Sequence, residues 1–143
     1  MKIYLAGGWF TPEQEEEHSR IYDALTQRTD YDIFNPRIAG EIDASTNDEK
    51  MSKILIGNIE AIQSSDVVVV IYDGKDTGTI WEAGYAYALK KPIIYYAEKP
   101  TTKVNLMLAK TGEFVSDEDD LIATLAAELP FKDVYNSYEG EIE

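Results

Sequence analysis

The sequence contains no cysteine and only one histidine, His18. The lack of cysteine excludes disulfide bonds, a cysteine nucleophile and cysteine-based metal sites. A Ser-His-Asp mechanism or a zinc site with several histidines would have to be built around His18 alone. We therefore interpret His18 as a residue of a helix face, and we expect no metal site.

Basic residues are also scarce, since 13 lysines and arginines stand against 27 aspartates and glutamates and give a net charge of −14. That charge repels phosphate backbones and anionic lipids, which makes nucleic acid polymers and membranes poor candidate partners. No apolar run approaches the roughly 18–20 residues that span a bilayer, and the first residues lack the apolar region of a signal peptide. We expect a cytoplasmic protein that binds a neutral or cationic small molecule.

Strand and helix patterns alternate along the 143 residues. Short apolar segments predict five strands, at residues 3–6, 31–34, 66–72, 92–96 and 113–115. Caps and helical periodicity predict the helices. They comprise a helix from Pro12 capped by Thr11, a helix with Met51, Ile54, Leu55, Ile59 and Ile62 on one face, a helix from about Gly78 to Leu89, a short piece at 105–109 and a last helix capped by Ser116. Residues 37–46 are predicted to be a loop.

This alternation predicts an α/β fold with a single domain over residues 1–143. We expect a doubly wound, flavodoxin-like or Rossmann-like sheet of five parallel strands with helices on both faces. In the strand order 2-1-3-4-5, the loops after strands one and three share the crevice where ligands bind. The side chains expected to converge there are Tyr4, Trp9, Phe10, Asp73, Asp76 and Glu82.

The segment Asp76–Tyr85, DTGTIWEAGY, places two carboxylates where a buried strand gives way to a helix. Glu82 near the helix start could attack an electrophilic sugar carbon, as in retaining glycosyl transfer. The alternative from position alone is a glutamate at a helix start that only satisfies backbone donors. Asp76 could raise the pKa of its neighbour and exchange protons, or it could be a helix cap.

Aromatic and glycine residues of strand one and its loop offer further candidates. A buried Tyr4 would need a hydroxyl partner, which a carboxylate across the crevice would provide. Trp9 and Phe10 could stack on a planar base, or form a lid or a subunit contact. Gly8 lies in the same loop, and we place it among the substrate-binding residues, although the loop has no phosphate-binding glycine motif.

Five segments in this order resemble the nucleoside 2-deoxyribosyltransferase family. They are residues 3–11 (IYLAGGWFT), 58–66 (NIEAIQSSD), 76–85 (DTGTIWEAGY), 104–107 (VNLM) and 138–140 (YEG). The resemblance implies a double displacement at the anomeric carbon, with Glu82 as the nucleophile. It implies that Tyr4 orients Glu82, and that Asp76 contacts the nucleoside and moves the proton of the base.

The same resemblance implies homo-oligomers, commonly hexamers built from dimers, in which Asn105 and Met107 complete a neighbouring site. The substrates would be 2′-deoxynucleosides and free nucleobases, with no cofactor. Glu143 is a weaker candidate for contact with the base. Two positions depart from the family pattern. Asn58 stands where many members have an aspartate, so it can bind a base but not act as an acid. Gly40 stands where some members have a glutamine.

Two other functions remain open from the sequence. A hydrolase would pass the same intermediate to water, acting on deoxynucleosides or on their 5′-monophosphates. Binding of the 5′-phosphate would need several hydroxyl or cationic groups, and the sequence offers only Arg37 and Thr11 near the expected site. This shortage favours nucleosides over nucleotides as substrates. A non-catalytic nucleotide-sensing module of the same fold would need no nucleophilic carboxylate.

Overall fold

The computed structural model describes residues 1–40, 42–73, 75–98, 103–127 and 138–143. A sheet of five parallel strands has the order β2-β1-β3-β4-β5, as predicted. The strands are β1 (Lys2–Ala6), β2 (Asp32–Phe34), β3 (Val67–Ile71), β4 (Ile93–Tyr96) and β5 (Glu113–Val115). The helices are α1 (Pro12–Arg28), α2 (Pro36–Ala39), α3 (Asp48–Ser64), α4 (Thr77–Ala88), α5 (Leu106–Ala109) and α6 (Glu118–Ala126).

Alternate strand residues point to opposite faces of the sheet, and each face packs against two long helices. One core joins the strands to α1 and α6, and its buried members include Ile3, Leu5, Val67, Val69, Ile21, Leu25, Leu121 and Leu125. The other joins them to α3 and α4, and its members include Tyr4, Ala6, Val68, Val70, Ile62, Ala83 and Ala86. All five residues of β3 are buried, which fits a central strand covered on both faces.

Polar side chains cap the long helices by accepting a hydrogen bond from the first turn, and these caps are Thr11, Asn47, Asp76 and Asp117. The prediction that Ser116 caps the last helix was wrong by one residue. Asp117 accepts from the Asp120 backbone, and a carboxylate also suits the positive helix end.

The predicted loop at 37–46 was also partly wrong, since α2 occupies its beginning. Asn35 caps this short helix by accepting from the Arg37 backbone at 3.1 Å, and Pro36 takes its first position. Proline at that position costs no hydrogen bond and presets the helical φ, so the Asn-Pro pair begins a turn of helix instead of only ending β2.

The apolar face of α3 is buried only toward its end. Ile62 is buried, whereas Met51 and Leu55 are 44% and 51% exposed. Among the described residues, no helix is long and apolar enough to cross a membrane. The predicted loop at 97–104 and the tail from Pro130 lie partly outside the described residues.

Candidate active site

Glu82 lies in the second turn of α4, and its carboxyl group is buried beside β1. Burial raises the pKa of Glu82 to about 7, hydrogen bonding with Tyr4 opposes this rise, and the negative charge of Asp76 adds to it. A carboxylate whose pKa lies near neutrality is a stronger base and nucleophile than an exposed glutamate, yet it remains partly ionised at pH 7.

Tyr4 is fully buried in β1, between Phe34 of β2 and Val68 of β3 in the strand register. The Phe34 ring stacks on it at 5.4 Å between centroids. Burial, followed by the negative charge of Glu82, raises the pKa of Tyr4, so the phenol stays protonated and can donate toward that carboxylate. Tyr4 and Glu82 are therefore close enough to influence each other's pKa, and the role of Tyr4 in orienting Glu82 stays a prediction.

Tyr4 and Glu82 influence each other's pKa, but their buried polar atoms lack hydrogen bonds of normal geometry. Neither the Tyr4 hydroxyl nor Oε2 of Glu82 has a hydrogen-bond partner of normal geometry within the described part of the chain. Buried polar atoms are nearly always paired, so an unpaired donor and an unpaired acceptor in one place point to a function. A hydroxyl-rich ligand such as a sugar could supply the missing partners.

Asp76 is a helix cap, which is one of the two roles considered for it from the sequence, and proton exchange with a substrate stays a prediction. Its Oδ2 accepts from the backbone and the hydroxyl of Thr79, at 2.8 and 2.9 Å, and so caps α4. Its Oδ1 makes no hydrogen bond with the described residues. The cap fixes the orientation of the carboxylate and leaves one oxygen for a ligand.

The loop after β1 packs directly on Asp76. A Cβ built on Gly8 would lie 3.0 Å from the Asp76 Cβ and 3.0 Å from Oε1 of Gln14, so a larger residue would force the loop outward. Trp9 and Phe10 follow, with 5.1 Å between their ring centroids, and Phe10 is 71% exposed. The structure thus brings the loops after β1 and β3 together at the carboxyl edge of the sheet.

Not every predicted residue takes part in this group. Asp73 is used elsewhere, since its Oδ2 accepts from the Glu98 backbone at 2.7 Å. Asn58 lies half-buried on α3, and its side chain has no hydrogen bond to the described residues. Asn105 caps α5 by accepting from the Met107 backbone at 2.9 Å, and both residues are exposed. Their substrate contacts stay predictions.

The C-terminal residues lie beside the start of α5. Val104 and Ile142 form an isolated parallel bridge, in which the Glu143 backbone donates to the Val104 carbonyl at 2.9 Å. Burial, followed by the charge of Glu143, raises the pKa of Tyr72 directly after β3. Glu143 is therefore close to the carboxyl edge of the sheet, while its contact with a base stays a prediction.

His18 is the main residue near this group that the sequence reasoning did not connect to it. The ring is 1% exposed, its Nε2 lies 2.9 Å from Oδ1 of Asn35, and its edge meets the Trp9 ring at 5.7 Å. The available signal was its position on the apolar stripe of α1, three and seven residues before Ile21 and Leu25. That signal predicts burial but not the partner.

Three comparisons with known proteins bear on this geometry. The sequence model of the family described as nucleoside 2-deoxyribosyltransferase matches residues 3–125. A solved 2-deoxyribosyltransferase from Bacillus psychrosaccharolyticus superposes with a TM-score of 0.76 at 26% identity, over 96% of this chain and 99% of that one. An uncharacterised protein of Ureaplasma parvum serovar 3 is 29% identical over 115 residues, which are 75% of this chain and 69% of that protein.

A more distant structure shares the fold alone. The CMP N-glycosidase BcmB of Clostridium botulinum superposes with a TM-score of 0.56 at 19% identity, over 87% of this chain and 97% of that one.

Proposed function

The chain belongs to the nucleoside 2-deoxyribosyltransferase family, and from this premise we propose that it moves a 2-deoxyribosyl group from a 2′-deoxynucleoside to a free purine or pyrimidine base. The observation that carries the proposal is the buried Glu82 carboxyl group, with its pKa near 7, facing the buried Tyr4 hydroxyl. A module that only binds a nucleotide would not need a buried carboxyl group whose pKa is raised toward neutrality.

In the first half-reaction, a carboxylate oxygen of Glu82 attacks C1′ of the nucleoside. A C1′–O ester bond forms as the C1′–N bond breaks, and the electron pair of that bond leaves with the base. The departing base takes up a proton, which we propose is passed to it through the Asp76 carboxyl group. Tyr4 donates toward Glu82 and holds the carboxyl group in the orientation for attack.

In the second half-reaction, a nitrogen of the acceptor base attacks C1′ and releases the Glu82 carboxylate. The acceptor gives its proton to Asp76, which restores the starting state. Two inversions at C1′ yield net retention. If water replaced the base, the same intermediate would give free 2-deoxyribose, so transfer and hydrolysis differ only in the second nucleophile.

Further residues predicted from the sequence are assigned to substrate binding in this proposal. We propose that Trp9 and Phe10 stack on the base beside Gly8, and that Asn58 binds a polar group of the base. We further propose a homo-oligomer, dimeric or hexameric, in which Asn105 and Met107 complete a neighbouring site. Their exposure in the single chain, 70% for Met107, is compatible with such a contact.

Nucleosides fit better than 5′-monophosphates because the candidate phosphate ligands are already engaged. The Arg37 guanidinium binds the Glu15 carboxylate and the Ser19 hydroxyl. The Thr11 hydroxyl accepts from the Gln14 backbone at 3.2 Å as part of a capping box. A phosphate would have to break these interactions and also enter a protein with a net charge of −14.

The deciding experiment incubates the protein with thymidine or deoxyinosine, with and without adenine, and separates the products by chromatography. We expect new deoxyadenosine only when adenine is present, together with the free donor base. Free base and 2-deoxyribose without exchange would assign the hydrolase instead. No reaction of any deoxynucleoside would leave a binding module and would contradict the proposal.

A further inference from the structure

His18 is a buried titratable group that the chemistry above does not use. Its ring is held at both ends, by the cap of α2 on one side and by the loop after β1 on the other. Burial lowers the pKa of His18, the hydrogen bond with Asn35 opposes this, the Arg37 charge adds to it, and the backbone of Gly7 and Gly8 opposes it.

The contact with Asn35 defines which ring nitrogen carries the proton. Oδ1 of Asn35 accepts from the Arg37 backbone at 3.1 Å, which identifies this atom as the oxygen of the amide. Nε2 of His18, at 2.9 Å from the same oxygen, must therefore be the donor. In the neutral ring, Nδ1 is then an unprotonated nitrogen on the side of the loop.

The other side of the ring fits against the Gly7–Trp9 segment. A Cβ built on Gly7 would lie 3.0 Å from Nδ1 of His18 and 2.8 Å from Cδ1 of Ile71, so the backbone passes close to both side chains. The Trp9 ring meets His18 edge-on, with an interplanar angle of 79°. Between Gly7 and Trp9, Gly8 packs against the Asp76 side chain. The segment is thus confined between the imidazole and the Asp76 side chain.

His18 and Asn35 also line a cavity of about 210 Å³ between α1 and α2. The ring therefore has open space beside it, and it is not only a filler of a closed core. If the side chain were shortened, Gly7 and Trp9 would lose the surface on which they rest, and the cavity would let them move toward α2.

We propose that His18 is a positioning residue that fixes the Gly7–Trp9 segment, so that Trp9 and Asp76 engage the same substrate base. This rests on the proposed function for the identity of the substrate, but the packing claim can be tested without it. His18 does not touch the reacting carbon, so its loss should weaken substrate binding more than it slows the chemical step.

The test uses His18→Gln and His18→Asn, with Ile21→Val as the matched control. Ile21 is buried one turn further along α1 in the core that packs this helix on the sheet, so its variant reports on general loosening of the helix. Trp9 and Trp81 are the two tryptophans, so Trp81→Phe provides a background in which emission reports Trp9 alone. Circular dichroism checks that each variant folds.

We expect both His18 variants to raise the acrylamide quenching of Trp9 emission about twofold or more, and Ile21→Val to leave it unchanged. In the transfer assay, we expect KM for the donor nucleoside to rise about 10-fold while kcat changes less than about 3-fold. The quenching measurement needs no substrate, so it keeps its meaning even if the protein transfers nothing.

Unchanged quenching in a folded His18 variant would overturn the inference. An equal change in Ile21→Val would do the same, because it would assign the effect to the helix as a whole. Failure of both His18 variants to fold while Ile21→Val folds would assign His18 a purely structural role and would also overturn it.

Discussion

Two polar clusters lie toward the carboxyl end of the sheet, and they treat their charges in opposite ways. In the first, Arg20 of α1 binds the carboxylates of Glu98 and Glu118, and it donates to the Tyr96 hydroxyl at 3.2 Å. Each partner belongs to a different part of the chain, so the cluster ties α1, the end of β4 and α6 together. Its charges are paired and partly exposed.

In the second cluster, the Tyr4 hydroxyl and Oε2 of Glu82 are buried and lack partners of normal geometry in the described structure. An unmet buried polar group costs roughly 1–3 kcal/mol, which a structural cluster has no reason to retain. A site that must bind and release a substrate needs such unmet groups, because the ligand can then satisfy them. The contrast agrees with the catalytic role proposed for Glu82 and with a structural role for Glu98 and Glu118.

The sharpest test of this contrast replaces one carboxylate in each cluster by an amide of the same shape. Glu82→Gln should lower the transfer rate by about 10³-fold or more, because an amide cannot form the glycosyl ester. Glu118→Gln should keep the rate within about twofold. Initial rates of deoxyadenosine formation from thymidine and adenine measure both. Comparable activity in the two variants would remove the distinction.

Glu82→Gln should also show how much the buried Glu82 carboxyl group lowers the free energy of unfolding. The folded-state pKa of Glu82 is raised from 4.5 to about 7, so the folded protein holds this proton more tightly than the unfolded chain. Folding stability is therefore lost as pH rises from about 4.5 to 7. Relative to the wild type, Glu82→Gln should gain up to about 3 kcal/mol between pH 4 and pH 8.5.

Denaturant unfolding of both proteins at these two pH values measures that gain. Glu118→Gln provides the matched control, since it also removes one carboxylate but from the Arg20 cluster. A difference between Glu82→Gln and wild type that stays constant from pH 4 to pH 8.5 would mean that Glu82 is not destabilised by burial.

The hydroxyl groups of the two clusters allow a parallel comparison. Tyr4→Phe keeps the ring that stacks on Phe34 and removes only the donor. Because hydrogen bonding with Tyr4 lowers the pKa of Glu82, the variant should raise that pKa further. The acidic limb of the pH–rate profile should move to higher pH, and kcat/KM at pH 7 should fall about 10-fold.

Tyr96→Phe is the control for that measurement, since it removes the hydroxyl that accepts from Arg20 in the other cluster. It should lower stability slightly and leave the pH–rate profile in place. If both tyrosine variants shift the profile alike, the effect arises from the sheet and not from the hydroxyl that faces Glu82.

The sequence predicted the sheet well because its signals are local and redundant. The buried run of β3 and the alternation of strands and helices are enough to place Tyr4 opposite Glu82 once the strand order is assumed. Which carboxylate attacks was assigned only by resemblance, because position alone does not distinguish a nucleophile from a cap. Asp76 in fact serves as a cap and keeps one oxygen for a ligand.

Contacts that depend on side-chain direction were not predictable in this way. The pairing of His18 with Asn35 joins a helix to the end of a strand 17 residues later, and no sequence spacing encodes it. The α2 helix was missed because Asn-Pro can end a strand and begin a helix. The choice of Asp117 over Ser116 as a cap depends on the local backbone, since both residue types are good caps.

The smallest expected effect concerns the paired cluster itself. Arg20→Met keeps the length of the side chain and removes its charge, which leaves Glu98 and Glu118 without their shared partner. Because the Arg20 side chain is 35% exposed, water compensates part of the loss. We expect about 1 kcal/mol lower stability, or a Tm lower by about 2–5 °C, with transfer unchanged.

Thermal unfolding and initial transfer rates check this together, and Lys53→Met serves as the control because it breaks an exposed ion pair within α3. The informative failure would be a lower kcat in Arg20→Met. Glu98 connects the two clusters, since its carboxylate binds Arg20 while its backbone donates to Asp73 after β3. A lower kcat would therefore mean that the Arg20 cluster holds Asp73, and with it the approach to Asp76, in place. The structural cluster and the proposed catalytic cluster would then be coupled through Glu98.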